Sequence, residues 1–256
     1  MVSKSLSVLI VLLLSCSHVL RADPVTIEQA SSLAYYTEEY APANFYSRGK
    51  LVGASVETLQ LIWRHMEVPE QKIIVVPWAR GYRLVERQEN SVLFTMARMP
   101  EREDKFKWVG PIYDSKHVLV AKSKRNFNLK KFEDAYDYRV AIVRGDISEV
   151  SLRSLDFPNR KLARAADLKQ AFLMLRSDRV DMIVMTHYGL KYAIEQFHEP
   201  ESKYQVVWHI NTLGNYYAFN RDTPDQLIEA FQKAFNQVEA QRAEIKAKYN
   251  LNDVEE

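Results

Sequence analysis

Short, unbroken apolar runs alternate with amphipathic segments along most of the chain, and this alternation limits the fold more than any other feature. Strands are expected at Leu33–Tyr36, Lys72–Val76, Ser91–Met96, Val118–Ala121, Arg139–Val143, Val180–Met185, Tyr204–His209 and Tyr216–Asn220. Another short strand is expected at Phe106–Val109, closing with Gly110-Pro111. Several of these runs are apolar at consecutive positions, the pattern of parallel strands covered on both faces. Between them, Val56, Leu59, Ile62, Trp63 and Met66 recur at helical spacing behind Ser55, a candidate cap. Leu168, Ala171, Phe172 and Leu175 do the same. Thr223-Pro224-Asp225-Gln226 carries a capping threonine, proline at the first helical position and glutamine three residues after the cap. The apolar face behind it is Leu227, Phe231, Ala234, Phe235 and Val238. Such alternation gives an α/β fold with mainly parallel sheets.

The first residues have the pattern of an export signal: Lys4, an apolar run over Leu6–Leu14, then Leu20-Arg21-Ala22 before Asp23-Pro24. The run is short for a membrane span, so residues 1–22 are expected to be a cleaved signal peptide and the mature protein periplasmic. Cys16 is the only cysteine. Leu13-Leu14-Ser15-Cys16 partly resembles a lipoprotein processing site, but Leu14 is large where that motif has a small residue, so lipidation there is the lesser expectation. Without Lys4 and Arg21 the 35 basic residues become 33, equal to the 33 acidic ones. A neutral chain gives no electrostatic reason to bind nucleic acid or an anionic membrane surface. The remaining length suits one large domain or two lobes, and a monomer is expected.

Phe94-Thr-Met-Ala-Arg98-Met-Pro-Glu-Arg102 carries the chemistry. It places two guanidinium groups on a loop at the end of a buried strand, and ligands of open α/β sheets lie beyond such strand ends. Arginine holds a carboxylate through two parallel hydrogen bonds. The same arginines on a surface loop would pair with Glu101, Glu103 and Asp104. No metal spacing and no nucleophile elbow occurs, so no cofactor, no metal and no catalytic residue is expected.

Four stretches in this order resemble the bacterial extracytoplasmic solute-binding proteins of family 3. They are Thr37-Glu-Glu-Tyr40-Ala-Pro42, Gly49-Lys-Leu-Val-Gly53-Ala-Ser-Val-Glu57, Phe94 to Pro111, and Val140-Ala-Ile-Val-Arg144-Gly145-Asp146. The resemblance implies a two-lobed periplasmic-binding-protein-like fold, with two mainly parallel sheets joined by two hinge strands and closing over a ligand. Crossings are expected near Tyr113–Lys116 and Leu213–Tyr216. Lobe 1 would then comprise residues 23–113 plus 216–256, and lobe 2 residues 114–215. The resemblance further implies that Arg102 holds a ligand carboxylate, with Thr95 and Ala97 on the same loop. Tyr40 and Trp78 would be aromatic walls, and the helix start at Gly145 and Asp146 would offer backbone N–H groups to an anion. Its implied partners are a small-molecule ligand and an ABC permease or membrane receptor.

Two departures bear on the ligand. Thr186 stands where amino-acid binders carry a carboxylate for the ligand ammonium, and Ala54 replaces an aromatic residue after Gly53. If Arg80 and Arg98 face the cleft with Arg102, the three favour an anion or polycarboxylate over an ordinary α-amino acid. Two other functions fit the same scaffold. A few proteins resembling this family are periplasmic dehydratases, but none of the six histidines forms a recognisable catalytic pair. An orphan sensory module would require a membrane partner.

Overall fold

A computed structural model describes residues 24–251; the expected signal peptide and Cys16 lie outside the described residues. The chain runs α1 (Pro24–Ser31), β1 (Ala34–Thr37), a hairpin of β2 (Phe45–Ser47) and β3 (Lys50–Val52), α2 (Ala54–His65), β4 (Ile73–Val75), α3 (Trp78–Arg87), β5 (Ser91–Ala97), α4 (Pro100–Glu103) and β6 (Phe106–Lys122). It continues through β7 (Val140–Val143), α5 (Ile147–Ser154), β8 (Leu162–Ala165), α6 (Leu168–Arg176), β9 (Met182–Thr186), α7 (His187–Gln196), β10 (Tyr204–Asn220), α8 (Asp225–Gln237) and α9 (Glu239–Lys248). Among the described residues no helix is long and apolar enough to cross a membrane.

The sheet order is β4-β1-β5-β10-β6-β9-β7-β8. β4, β1 and β5 are mutually parallel, as are β9, β7 and β8. β10 and β6 pair antiparallel between these blocks, and each is 17 residues long. The expected α/β fold of two parallel blocks joined by two long strands is therefore present, with hydrogen bonding unbroken from edge to edge. In the stretch between the blocks β6 and β10 pair through Tyr113↔Asn215, Asp114↔Gly214 and Ser115↔Leu213.

Each block has its own core. One is built on Trp63, Tyr35, Phe94, Tyr217, Phe231 and Phe235, all at most 2% exposed, with Tyr35 edge-on to Trp63 at 4.7 Å. Fully burying each such side chain contributes about 1.5–3 kcal/mol. The other block packs on both sheet faces, around Phe172 and Ile183 on one and around Leu152 and Ile142 on the other. The apolar faces expected for α2 and α8 are the buried ones.

Two caps differ from expectation. Gly53 holds the N-cap position of α2 at φ 127°, and Ser55 lies fully buried within the first turn. Pro224, not Thr223, occupies the cap position of α8, and Thr223 Oγ1 is buried without a partner. In both places tertiary packing claims the hydroxyl's position.

Candidate functional site

Parallel strands direct their C-terminal ends the same way, so the residues following β1, β5, β7 and β9 converge where the two blocks meet. Glu38 and Tyr40 follow β1, Arg102 follows β5, Asp146 follows β7, and Thr186 ends β9. A cavity of about 30 Å³ lies there, lined by Glu38, Tyr40, Trp78, Thr95, Ala97, Arg102, His117, Asp146, Ile147 and Asn215. It has room for one or two water-sized groups. A groove of about 280 Å³ shares Glu38 and Tyr40 with it and continues between the blocks past Val75, Asp167, Leu168 and Tyr192.

Arg102 is the dominant positive charge of the cavity. It is 3% exposed, its Nη1 donates to the Ala97 carbonyl at 3.1 Å, and its guanidinium lies 5.4 and 5.5 Å from the rings of Trp78 and Tyr82. Among the described residues no carboxylate forms an ion pair with it. Burial lowers its pKa, yet a guanidinium stays charged across the physiological range. Two aromatic faces offset part of its desolvation.

The loop behind Arg102 is shaped by Thr95. The β5–β10 register slips between Tyr216 and Tyr217, and Thr95 adopts φ 64°, a rare conformation for a β-branched residue. Such strain costs on the order of 1–3 kcal/mol. Its Oγ1 lies 2.5 Å from Asn44 Oδ1 and 2.9 Å from Ser55 Oγ. With one proton to give, the hydroxyl donates to Asn44 and accepts from Ser55. Asn44 in turn donates to the Glu38 carbonyl, so one buried amide ties the β5 loop to the β1 loop.

Two carboxylates face this cation. Glu38 has its pKa raised well above the carboxylate range by burial and by Asp146 and Asp167, with Arg102 opposing. Burial pushes Asp146 up to about 6, against its hydrogen bonds from Ser148 and Glu149 and the charge of Arg102. The amides of Ser148 and Glu149 and the Ser148 hydroxyl all donate to Asp146 Oδ1, which leaves Oδ2 for the cavity. The Gly145 amide donates to Glu149 Oε2 at 2.8 Å. The amides of this helix start are thus met by the carboxylates of Asp146, which precedes α5, and Glu149 within it.

Hydrogen bonds cross between the blocks. Tyr40 Oη lies 2.9 Å from Thr186 Oγ1, and Trp78 Nε1 donates to the Gly145 carbonyl at 2.9 Å. Thr186 also caps α7 by accepting from the Gly189 amide at 3.0 Å.

Of the residues singled out by sequence, Arg102, Tyr40, Trp78, Thr95, Ala97 and Asp146 line the cavity, while Gly145 and Thr186 join it through those crossing bonds. Arg80 and Arg98 do not line it. Arg80 is exposed on α3. Arg98 lies past the strand end, with Nε donating to Glu103 at 2.8 Å and its guanidinium over Trp108 and Tyr216. The polyanion expectation that rested on three arginines therefore loses two of them. Glu38, His117, Ile147 and Asn215 also line the cavity and were not among the residues singled out.

The family model for bacterial extracellular solute-binding proteins, family 3, matches residues 34–252. Among solved structures, a histidine kinase sensor domain similar to periplasmic binding proteins is 18% identical, with a TM-score of 0.79, covering 90% of this chain and 100% of that one. An arginine-binding protein mutant from T. maritima is 18% identical, with a TM-score of 0.77 and coverages of 88% and 99%. A histidine-bound ABC uptake transporter substrate-binding protein from Streptococcus pneumoniae is 14% identical, with a TM-score of 0.79 and coverages of 90% and 96%. No curated protein matches the chain by sequence. At these identities the structural likeness shows the fold, and the family match over nearly all of the described residues identifies the chain as one of the bacterial extracellular solute-binding proteins of family 3.

Proposed function

We propose that this chain captures a free amino acid outside the cytoplasm by closing two lobes over it, and passes it to an ABC permease or a membrane receptor. The lobes are residues 23–113 with 216–256, and residues 114–215. One observation carries the reading: a buried arginine with no ion-pair partner among the described residues shares a small cavity with two carboxyl groups from opposite blocks, Glu38 held protonated by burial and Asp146 ionised above about pH 6. That is the charge pattern of a zwitterion's complement. The ligand carboxylate pairs with Arg102, and its ammonium lies toward Glu38 and Asp146. Thr186 need not supply a charge, because Asp146 brings one from the same block. The ligand's remainder occupies the groove, and the arginine, histidine and substrate-binding likenesses support an amino acid there.

Isothermal titration with the twenty common amino acids and with succinate and glutarate tests this. At least one amino acid is expected to bind saturably at one site, and the dicarboxylates are not. Binding of the dicarboxylates alone contradicts the reading.

The same carboxylates set a pH dependence. Protonating Asp146 below about pH 6 removes a negative charge facing the ligand ammonium. Affinity should therefore fall by up to roughly tenfold between pH 7 and pH 5, the most that one group titrating near 6 can give by linkage. The free protein should respond in the opposite sense. A carboxyl whose folded pKa lies above its unfolded value favours folding at low pH and loses that contribution as pH rises through about 6. The ligand-induced rise in Tm should shrink on acidification while the ligand-free Tm does not fall over the same window. Affinity that is flat from pH 7 to pH 5 contradicts the assignment.

A further inference from the structure

His117 stands in the middle of β6, where the register pairs it with Thr186 of β9 and Asn211 of β10. Its ring is 4% exposed and forms part of the same cavity wall as Arg102, Trp78 and Asn215. A buried imidazole ordinarily satisfies both nitrogens. Here Nδ1 faces the Asn211 side chain on the neighbouring strand. Turning that amide over pairs its N–H with Nδ1 and its oxygen with the Ser151 hydroxyl, which leaves Nε2 as the ring's N–H donor. Arg102 and His117 both belong to the wall of this small chamber.

We propose that His117 is a second contact for the ligand's carboxylate, donating a ring N–H to it alongside Arg102, so that the hinge strand itself helps recognise the ligand's head group. This inference rests on the amino-acid reading above. The surroundings fit the role. Burial, and then the charges of Arg102 on α4, His209 on β10 and His187 on α7, push the imidazole down to about 4, while Asn211 on β10 pulls it up. Glu38 after β1 and Asp146 before α5 supply the facing carboxylates. The free ring is thus neutral at physiological pH. A carboxylate placed between Arg102 and His117 would cancel part of the opposing charge and raise the ring's pKa.

The test uses the whole chain with L-arginine, L-glutamine and L-histidine, each compared with its primary amide. Long-range ¹H–¹⁵N spectra of the unlabelled-ligand complexes report the ring nitrogens of the protein's own histidines, with His117 assigned by its disappearance in His117→Gln or His117→Asn. A bound amino acid is expected to shift the His117 nitrogens and raise its pKa by about one unit or more. His117→Gln is expected to weaken binding about ten- to a hundredfold, and the penalty for replacing carboxylate by carboxamide should shrink in that variant. If the wild-type chain binds an amino acid, yet the His117 titration is unmoved and the carboxamide penalty is equal in both proteins, this inference alone falls. Where another common amino acid binds instead, the same comparison is made with it; if the wild-type chain binds none of the twenty, the amino-acid reading falls and this inference with it. The wild-type ring titration decides the matter even where a variant fails to fold, because His117 can be assigned from whichever variant does.

Discussion

Replacing Arg102 with alanine should lower amino-acid affinity by about a hundred- to several-thousandfold while leaving the fold intact. Removing one partner of a buried charge pair costs about 3–5 kcal/mol, which sets that range. Part of the free protein's difficulty disappears in the same variant, since Arg102 is buried without a counter-ion and its desolvation is only partly offset by Trp78 and Tyr82. Arg102→Ala should accordingly keep or slightly raise the ligand-free Tm while abolishing the ligand-induced shift. Arg102→Lys separates shape from charge: lysine keeps the charge but cannot form the forked contact. It should recover only a minor part of the lost affinity. Calorimetric titration of the three proteins checks all of this, and unchanged affinity in Arg102→Ala would remove the guanidinium from the binding account.

Gly53→Ala should be the most damaging single-methyl change in the first block. The glycine sits at φ 127°, and an added Cβ would lie 2.2 Å from the Ala43 carbonyl oxygen and 2.7 Å from the Asn44 amide nitrogen. Both obstacles are backbone, so no side-chain rotation relieves them. Backbone strain and overpacking together should cost roughly 3–5 kcal/mol. The clash falls on the segment that carries Asn44, whose side chain bonds the Glu38 carbonyl and Thr95. Whatever folded protein remains should bind its ligand more weakly as well. By contrast, Gly49 has open space where its Cβ would be, although its φ of 79° still favours glycine. Chemical denaturation measures the first effect, and titration of the folded fraction measures the second. A Gly53→Ala protein as stable as the wild type would contradict the close approach.

The fold was largely legible because its buried strands are apolar at consecutive positions, a signal that does not depend on register. Ser91–Met96 and Arg139–Val143 correspond closely to β5 and β7. The two hinge strands were each seen as two short strands, since Gly110-Pro111 and Leu213-Gly214 interrupt the apolar pattern while the backbone ladder continues through them. β8 escaped notice because Leu-Ala-Arg-Ala contains no β-branched residue, and the β2–β3 hairpin because each of its strands is only three residues long. Arg102 was legible from its place beyond a buried strand. Arg80 and Arg98 were not separable from it, because direction on a helix and stacking over Trp108 are set by tertiary packing. Glu38 had a visible signal, standing directly after the first strand, at the same kind of strand end. His117 and Asn215 had none: both lie within long strands whose inward and outward faces change at register shifts.

The central claim is that the small cavity and the adjoining groove together seat a zwitterion between the two blocks, with its carboxylate on Arg102 and its ammonium between Glu38 and Asp146. A crystal structure of the chain grown with the amino acid that binds it most tightly tests this most directly. The account predicts ligand carboxylate oxygens within hydrogen-bond distance of the Arg102 guanidinium, ligand nitrogen against Glu38 and Asp146 Oδ2, and the side chain directed into the groove beside Tyr40. A ligand lying with its carboxylate away from Arg102, or held wholly in the groove with the small cavity left to water, would contradict it.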